Sequence, residues 1–318
     1  MNFVCQQNLK VSVPGKAILI GEHSVVYGHP AIAFPLLNVQ LHISMQQPTQ
    51  IHEISSWHEA WCIEMKNEVL CLSEQMKVLL TSALKETFCL FNQKLDDFSP
   101  QKIFIQTEIP LGGGMGGSAA ISSSLVRICA KLFDKNLSYE EEVLFSNKID
   151  SLFHFGKASG LDVSTVLGKH FIFFNKGHAP KILNVCLGLW VALVDSEERS
   201  ETAVMVKKVS AQVEAKNTDT LHAIEHLGTL THQCVDELFN SNSYAVATIL
   251  NEAQELLCLL GVSTDKINTL CHDLKKEGAL CAKLTGAGGG GLVLSLFREK
   301  PDHLLKRYGY DKVFLTQI

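Results

Sequence analysis

Apolar residues recur along the chain at two spacings, and the spacing assigns the elements. Near the N-terminus Leu9, Val11 and Val13 alternate with polar residues, and Val39, Leu41, Ile43 and Met45 do the same. A period of two predicts strands with one buried face. Residues 75–93 (QMKVLLTSALKETFCLFNQ) carry apolar side chains at helical intervals. QKIFIQTEI returns to alternation, with Ile103, Ile105, Thr107 and Ile109 on one face, and runs through Pro110 into LGGGMGGS. The stretch after it, AAISSSLVRICAKLF, sets Ile121, Leu125, Ile128 and Leu132 on one side of a helix.

The second half opens with HFIFF and GLWVALVD, two predicted strands, followed by a mostly helical stretch over residues 201–277. Its last helix has Ser263 or Thr264 as cap, a stripe of Ile267, Leu270, Cys271 and Leu274, and Gly278 as its end. LCAKLTG, LVLSLF and KVFLTQI close the chain as strands. Strands and helices mix in both halves without regular βαβ alternation, which predicts an α+β fold. A boundary near residues 175–185 gives two domains, 1–178 and 179–318.

Composition narrows the class. With 46% apolar and 19% charged residues among 318, the chain can bury a core and is not a disordered one. Its formal net charge of −5 gives a nucleic-acid partner no electrostatic support, although a local glycine loop can still bind an anion. Ten cysteines occur without a C-x-x-C pair or regular spacing, so they read as small buried hydrophobes in a reducing compartment rather than zinc ligands. MNFVCQQNLKVSV lacks the basic-then-apolar layout of a secretion signal, and no apolar run is long enough to span a membrane. The expectation is a soluble cytoplasmic protein with no membrane partner.

Two glycine runs need an explanation, because glycine lowers stability wherever backbone must be ordered. One is PLGGGMGGSAA (110–120), with Gly112, Gly113, Gly114, Met115, Gly116, Gly117 and Ser118 between a strand and a helix. The other is TGAGGGG (285–291), containing Gly286, Ala287 and Gly288. A glycine loop entering a helix exposes N–H groups to an anion, and the helix dipole favours negative charge there. Both runs also satisfy G-x-G-x-x-G, but glycine-saturated stretches do so by chance, and repeated strand–helix units are missing. No Lys-Ser or Lys-Thr follows, so the P-loop pattern fails too.

Charged residues supply the remaining chemistry. PGKAILIGEHSVVYGHPAIA (14–33) sets Lys16, Glu22 and His23 among apolar neighbours, and Asp162 lies among small residues in GKASGLDVS. Taken singly each has a plain reading: a lysine solvated at a strand end, a structural histidine, a capping aspartate. Buried together they require partners, and an Asp beside a Lys is a base or an electrostatic anchor for a hydroxyl.

In order, VPGKAILIGEHSVVYGHPAIA, PLGGGMGGSAA and KLTGAGGGG resemble the three motifs of the GHMP kinases, over residues 13–291. The first motif, SGLD and DSEERSET are most similar to those of the mevalonate kinase branch. The resemblance implies an N-terminal domain like ribosomal protein S5 domain 2 and a ferredoxin-like C-terminal domain. It implies ATP-dependent, Mg²⁺-assisted phosphorylation of the primary hydroxyl of mevalonate in isoprenoid biosynthesis, with other alcohol or sugar acceptors, or a regulatory non-catalytic homologue, as alternatives. A homodimer stays open.

By the same likeness Asp162 is the base or hydroxyl-orienting group, and Lys16 lowers the hydroxyl's pKa and stabilises transition-state charge. The 112–118 loop cradles phosphates and Ser118 ligates Mg²⁺. Glu22, His23 and Thr202 line the acceptor or transfer pocket, while Gly286, Ala287 and Gly288 shape the site. Two departures stand out. The second motif has Gly117 in place of the usual first serine of Gly-Leu-Gly-Ser-Ser. The metal-binding Glu, eleven residues before the Asp, is Ser151 here; a one-residue slip, helped by the extra aromatic in FHFGKASG, lets Asp150 serve instead.

Overall fold

The computed structural model describes residues 9–46, 56–65, 68–110, 113–154, 156 and 158–318. They fall into two compact units, each discontinuous in sequence. One is the chain up to Lys16 with Pro35–Lys169, and the other is Ala17–Phe34 with His170–Ile318. The division follows two long strands, β1 (Leu9–Ile20) and β2 (Ala31–Gln46), each of which changes unit part-way. A boundary drawn along the sequence counts residues 17–34 with the first half, whereas packing places them with the second.

In the first unit β3 (Trp61–Met65) and β4 (Glu68–Leu70) form an antiparallel pair, and β3 runs parallel to β5 (Lys102–Thr107). β5 pairs antiparallel with β2, setting Ile43 opposite Ile105 and Met45 opposite Ile103. The alternation in the sequence is therefore one buried sheet face. Among the described residues β1 pairs only with β2, and this edge position tolerates Pro14 inside an otherwise continuous strand.

α1 (Glu74–Leu90), α2 (Gly117–Leu132), α3 (Tyr139–Phe153) and α4 (Leu161–Leu167) complete the unit. An aromatic cluster locks three of these helices: Phe88 meets Phe133 at 5.1 Å, and Phe91 meets Phe133 at 5.5 Å and Phe145 at 5.8 Å. α2 also buries Ile121, Leu125 and Ile128, each contributing about 1.5–3 kcal/mol. This packing makes α2 and α3 a rigid base for whatever their ends carry.

In the second unit the start of β2 pairs with β6 (Phe171–Phe174), which pairs with β7 (Lys181–Leu183). β8 (Trp190–Asp195) leads into α5 (Thr202–Glu214), α6 (Thr218–Phe239), α7 (Ser243–Leu259) and α8 (Asp265–Lys276). β9 (Cys281–Leu284), β10 (Leu292–Phe297), α9 (Asp302–Tyr308) and β11 (Val313–Gln317) end the chain. β8 to β11 form an antiparallel sheet in the order β11-β8-β10-β9, with α7 and α8 packed on β9. Thr264 caps α8, its hydroxyl accepting from Ile267 N, and Gly278 follows its end at φ +97°.

The cysteines depart from expectation. Cys129, Cys234, Cys271 and Cys281 are buried, and burial pushes the last three up to about 12. Cys71, Cys89, Cys186 and Cys258 are exposed instead: Cys89 and Cys258 lie on the solvent sides of α1 and α7, and Cys71 and Cys186 lie in the connections after β4 and β7. All nine described cysteines are free thiols. Among the described residues no helix is long and apolar enough to cross a membrane.

Candidate active site

In the first unit, Lys16 lies inside β1 and is buried, not solvated at a strand end. Its amide donates to Met115 O at 3.0 Å, which ties β1 to the glycine loop. Its ammonium lies 2.9 Å from Asp162 Oδ1. Asp162 sits in the first turn of α4, where a carboxylate also suits the helix dipole. The two side chains differ in exposure: 5% for Lys16 and 32% for Asp162. The lysine is held and the carboxylate remains approachable.

The loop that Lys16 touches ends at Gly116, the N-cap of α2, at φ +75°. A Cβ there would come within 2.8 Å of Lys16 Cγ, so the lysine stem runs through space that only glycine leaves free. No side chain caps α2, and its first-turn N–H groups are available to an anion. Gly113 and Gly114 precede this turn; Gly112 lies outside the described residues.

Ser118, also in that first turn, has its hydroxyl 3.0 Å from His154 Nε2. Asp150 and His154 lie one helical turn apart, with His154 Nε2 3.6 Å from Asp150 Oδ1. Asp150 is almost fully buried and its Oδ1 accepts no hydrogen bond. Burial is the main reason its carboxyl is pushed up to about 6. The Asp162 charge adds to that shift, and His154, the Ser118 hydroxyl and Lys16 oppose it. Ser151, the position matching the family's glutamate, instead donates to Asn147 O within its own helix. The carboxylate near Ser118 is thus that of Asp150.

The second unit carries its own polar cluster. Glu22 and Lys283 are both fully buried and paired, and Lys283 also donates to Leu284 O at 2.6 Å. Glu22 Oε2 is buried without a partner. His23 follows at φ +60°, and its Nε2 donates to Ala287 O at 2.8 Å, which identifies the protonated ring nitrogen. Burial lowers its pKa, against the opposing pull of the Ala287 carbonyl and Glu22.

Thr285 Oγ1 joins the same network, accepting from Ile18 N at 3.1 Å and donating to Ile18 O at 2.9 Å. Gly288 is packed so that a Cβ would fall 2.3 Å from Val262 O. The third glycine run therefore serves close backbone packing as well as His23. Thr202 is exposed at the start of α5 and, among the described residues, forms no hydrogen bond to Glu22, His23 or this loop.

Comparison with known proteins identifies the family and the fold. The family models described as GHMP kinases N terminal domain and GHMP kinases C terminal match residues 80–169 and 235–309. A mevalonate kinase of Pyrococcus furiosus is 30% identical over 304 residues, covering 91% of this chain and 89% of the relative. The chain belongs to the GHMP kinase family. The crystal structure of the Methanococcus jannaschii mevalonate kinase superposes on this GHMP kinase with a TM-score of 0.77 at 25% identity, covering 98% of each chain. That of an L. major mevalonate kinase in complex with R-mevalonate gives 0.80 at 19% identity, covering 100% of this chain and 98% of that one, a likeness of fold. The fold is the two-domain GHMP kinase fold.

Reasoning from sequence passes over two residues of this GHMP kinase. Lys283 is a single charge in the strand CAKL, and a lysine between apolar neighbours is the signal that marks it. His154 stands four positions after Asp150 at the end of α3, a spacing that puts both on one helix face.

Proposed function

We propose that this GHMP kinase transfers the γ-phosphoryl group of ATP to the primary hydroxyl of mevalonate, giving 5-phosphomevalonate and ADP for isoprenoid synthesis. The observation that carries the reaction type is the Lys16–Asp162 pair at 2.9 Å, with the lysine stem against the N-cap of α2. The acceptor is assigned from the mevalonate kinases to which the chain is similar over nine-tenths of its length.

Phosphoryl transfer asks for positioning and charge stabilisation more than for covalent chemistry. The α2 N-terminus and the 113–118 backbone would bind the nucleotide phosphates. Asp162 would accept a hydrogen bond from the acceptor hydroxyl and take its proton as the new O–P bond forms and the β–γ bridge breaks. Lys16 would hold Asp162 in place and offset negative charge on the transferring group.

The residues present fit a divalent cation. Asp150 Oδ1 is a buried carboxylate oxygen without a donor, and the Ser118 hydroxyl lies in the same cluster. Asp150 and Ser118 would hold Mg²⁺ together with phosphate oxygens and water, its usual mixed shell. Bound there, the ion supplies neutralisation of phosphate charge. Glu22, His23 and Thr202 are proposed as acceptor contacts, and Gly286, Ala287 and Gly288 as the loop that shapes the site, on the motif likeness.

Turnover of ATP to ADP measured with mevalonate, phosphomevalonate, homoserine, galactose and no acceptor tests this reading. Turnover with mevalonate alone supports it. Turnover with another acceptor keeps the chemistry and reassigns the pocket. No turnover from folded, ATP-binding protein overturns the kinase reading in favour of a regulatory homologue.

A further inference from the structure

We propose that His154 is itself a ligand of the divalent-cation site, making it a mixed oxygen–nitrogen site. This deepens the kinase reading and rests on it for the nucleotide phosphates that complete the coordination shell.

Three donor atoms converge. His154 Nε2 is 3.0 Å from Ser118 Oγ and 3.6 Å from Asp150 Oδ1. In an octahedral shell with bonds of about 2.1 Å, adjacent ligands stand roughly 3.0 Å apart. The observed spacings match donors sharing one cation after a small closing movement of the carboxylate and imidazole. Asp150 Oδ1 adds the independent sign: a buried oxygen facing the imidazole and accepting no hydrogen bond. A buried polar atom without a partner is rare and calls for an ion or water to satisfy it.

The three donors are fixed from behind. Asp150 lies in the last turn of α3, His154 is the residue that follows the helix end, and Ser118 is on α2; the two helices pack together and share the aromatic cluster. Ser151 cannot take the carboxylate's place, since its hydroxyl is turned to Asn147 O. Among the described residues no three His, Cys, Asp or Glu side chains form a metal cage, so the protein share here is one carboxylate, one hydroxyl and one imidazole. Such a partial set suits a cation delivered with a nucleotide. Imidazole favours first-row transition ions over Mg²⁺, while the two oxygen donors keep the site open to Mn²⁺.

The alternative is that His154 only hydrogen-bonds the Ser118 hydroxyl. The experiment adds Mn²⁺ with ADP to the full chain, follows free Mn²⁺ by electron paramagnetic resonance, and looks for imidazole ¹⁴N coupling to bound Mn²⁺ by electron spin echo modulation. Wild type should show the coupling. His154→Ala and His154→Gln should lose it and bind Mn²⁺ at least about tenfold more weakly, a loss of the order seen when metal-site partners are removed. His154 is 46% exposed, so both variants should stay folded, which a thermal melt checks. Absence of the coupling in wild type, its persistence in His154→Ala, or unchanged Mn²⁺ affinity in both variants overturns the proposal. Mevalonate turnover by wild type with Mg²⁺–ATP is scored separately. Turnover without ¹⁴N coupling removes His154 alone, whereas coupling without turnover keeps the ligand and removes the kinase reading.

Discussion

The two polar clusters of this protein are built from the same residue types and differ in how far their ion pairs are exposed. Around Glu22 and Lys283 both charges are fully buried and joined, and the neighbouring His23 and Thr285 side chains are hydrogen-bonded to backbone. Around Lys16 and Asp162 the lysine is buried but the carboxylate is 32% exposed, and Asp150 close by keeps an oxygen without a donor. A closed pair holds backbone in place: it joins the end of β1 to β9 and the glycine run after it. An open set, beside uncapped N–H groups of α2, has binding capacity to spare. The difference lies in exposure and not in residue type, since both clusters pair a lysine with an acid and each keeps a buried carboxylate oxygen without a donor, Glu22 Oε2 and Asp150 Oδ1.

Substitution can break this contrast. The largest expected effect is in Lys16→Met, which should lower kcat by about 10²–10³-fold through lost stabilisation of transition-state charge. Thermal melting should move far less than the rate, and a rate loss explained by unfolding would erase the distinction. Lys283→Met should behave in the opposite way. Removing one partner of a buried pair costs about 3–5 kcal/mol, read by urea unfolding, and Glu22→Gln/Lys283→Met together should cost less than the sum of the single changes. Additive losses would mean the pair is not coupled.

A third effect sharpens the open cluster. Burial raises the Asp150 carboxyl from 3.8 to about 6, so the folded state binds its proton more tightly than the unfolded state. The charged form therefore weakens the fold above about pH 6, and the penalty is gone below about pH 4. Asp150→Asn in the presence of a chelator should raise stability at pH 8 by up to about 3 kcal/mol and leave it unchanged near pH 4. A loss at pH 8 would show that Asp150 is already satisfied. Smallest is Gly114→Ala, where φ is +78° and no atom lies near an added Cβ. Backbone strain alone should cost about 1 kcal/mol by thermal unfolding, and a much larger loss would show that the loop is packed where it reads as open.

Local pattern made much of the molecule legible. Alternation at Val39, Leu41, Ile43 and Met45 and the Thr264 cap of α8 depend on near neighbours, and the structure shows both. α3 is less visible because its first turn is acidic, yet Ser138 and Glu141 form a capping box that could have marked it. α4 spans only seven residues, too few for a period to show. Lys16 and Asp162 stood out as charges among apolar or small residues. Lys283 did not, because its partner is 261 positions away and pairing across such a distance leaves no spacing to read. Neither did His154, whose role depends on Ser118, 36 positions earlier on another helix.

In the proposed reaction the open Lys16–Asp162 cluster performs the transfer. Its most direct test is Asp162→Asn, assayed for mevalonate-dependent formation of ADP alongside ATP binding and thermal stability. The variant should show at least about a hundredfold fall in kcat, the lower end for a lost general base, with ATP binding and melting temperature near those of wild type. Turnover within a few-fold of wild type would contradict it.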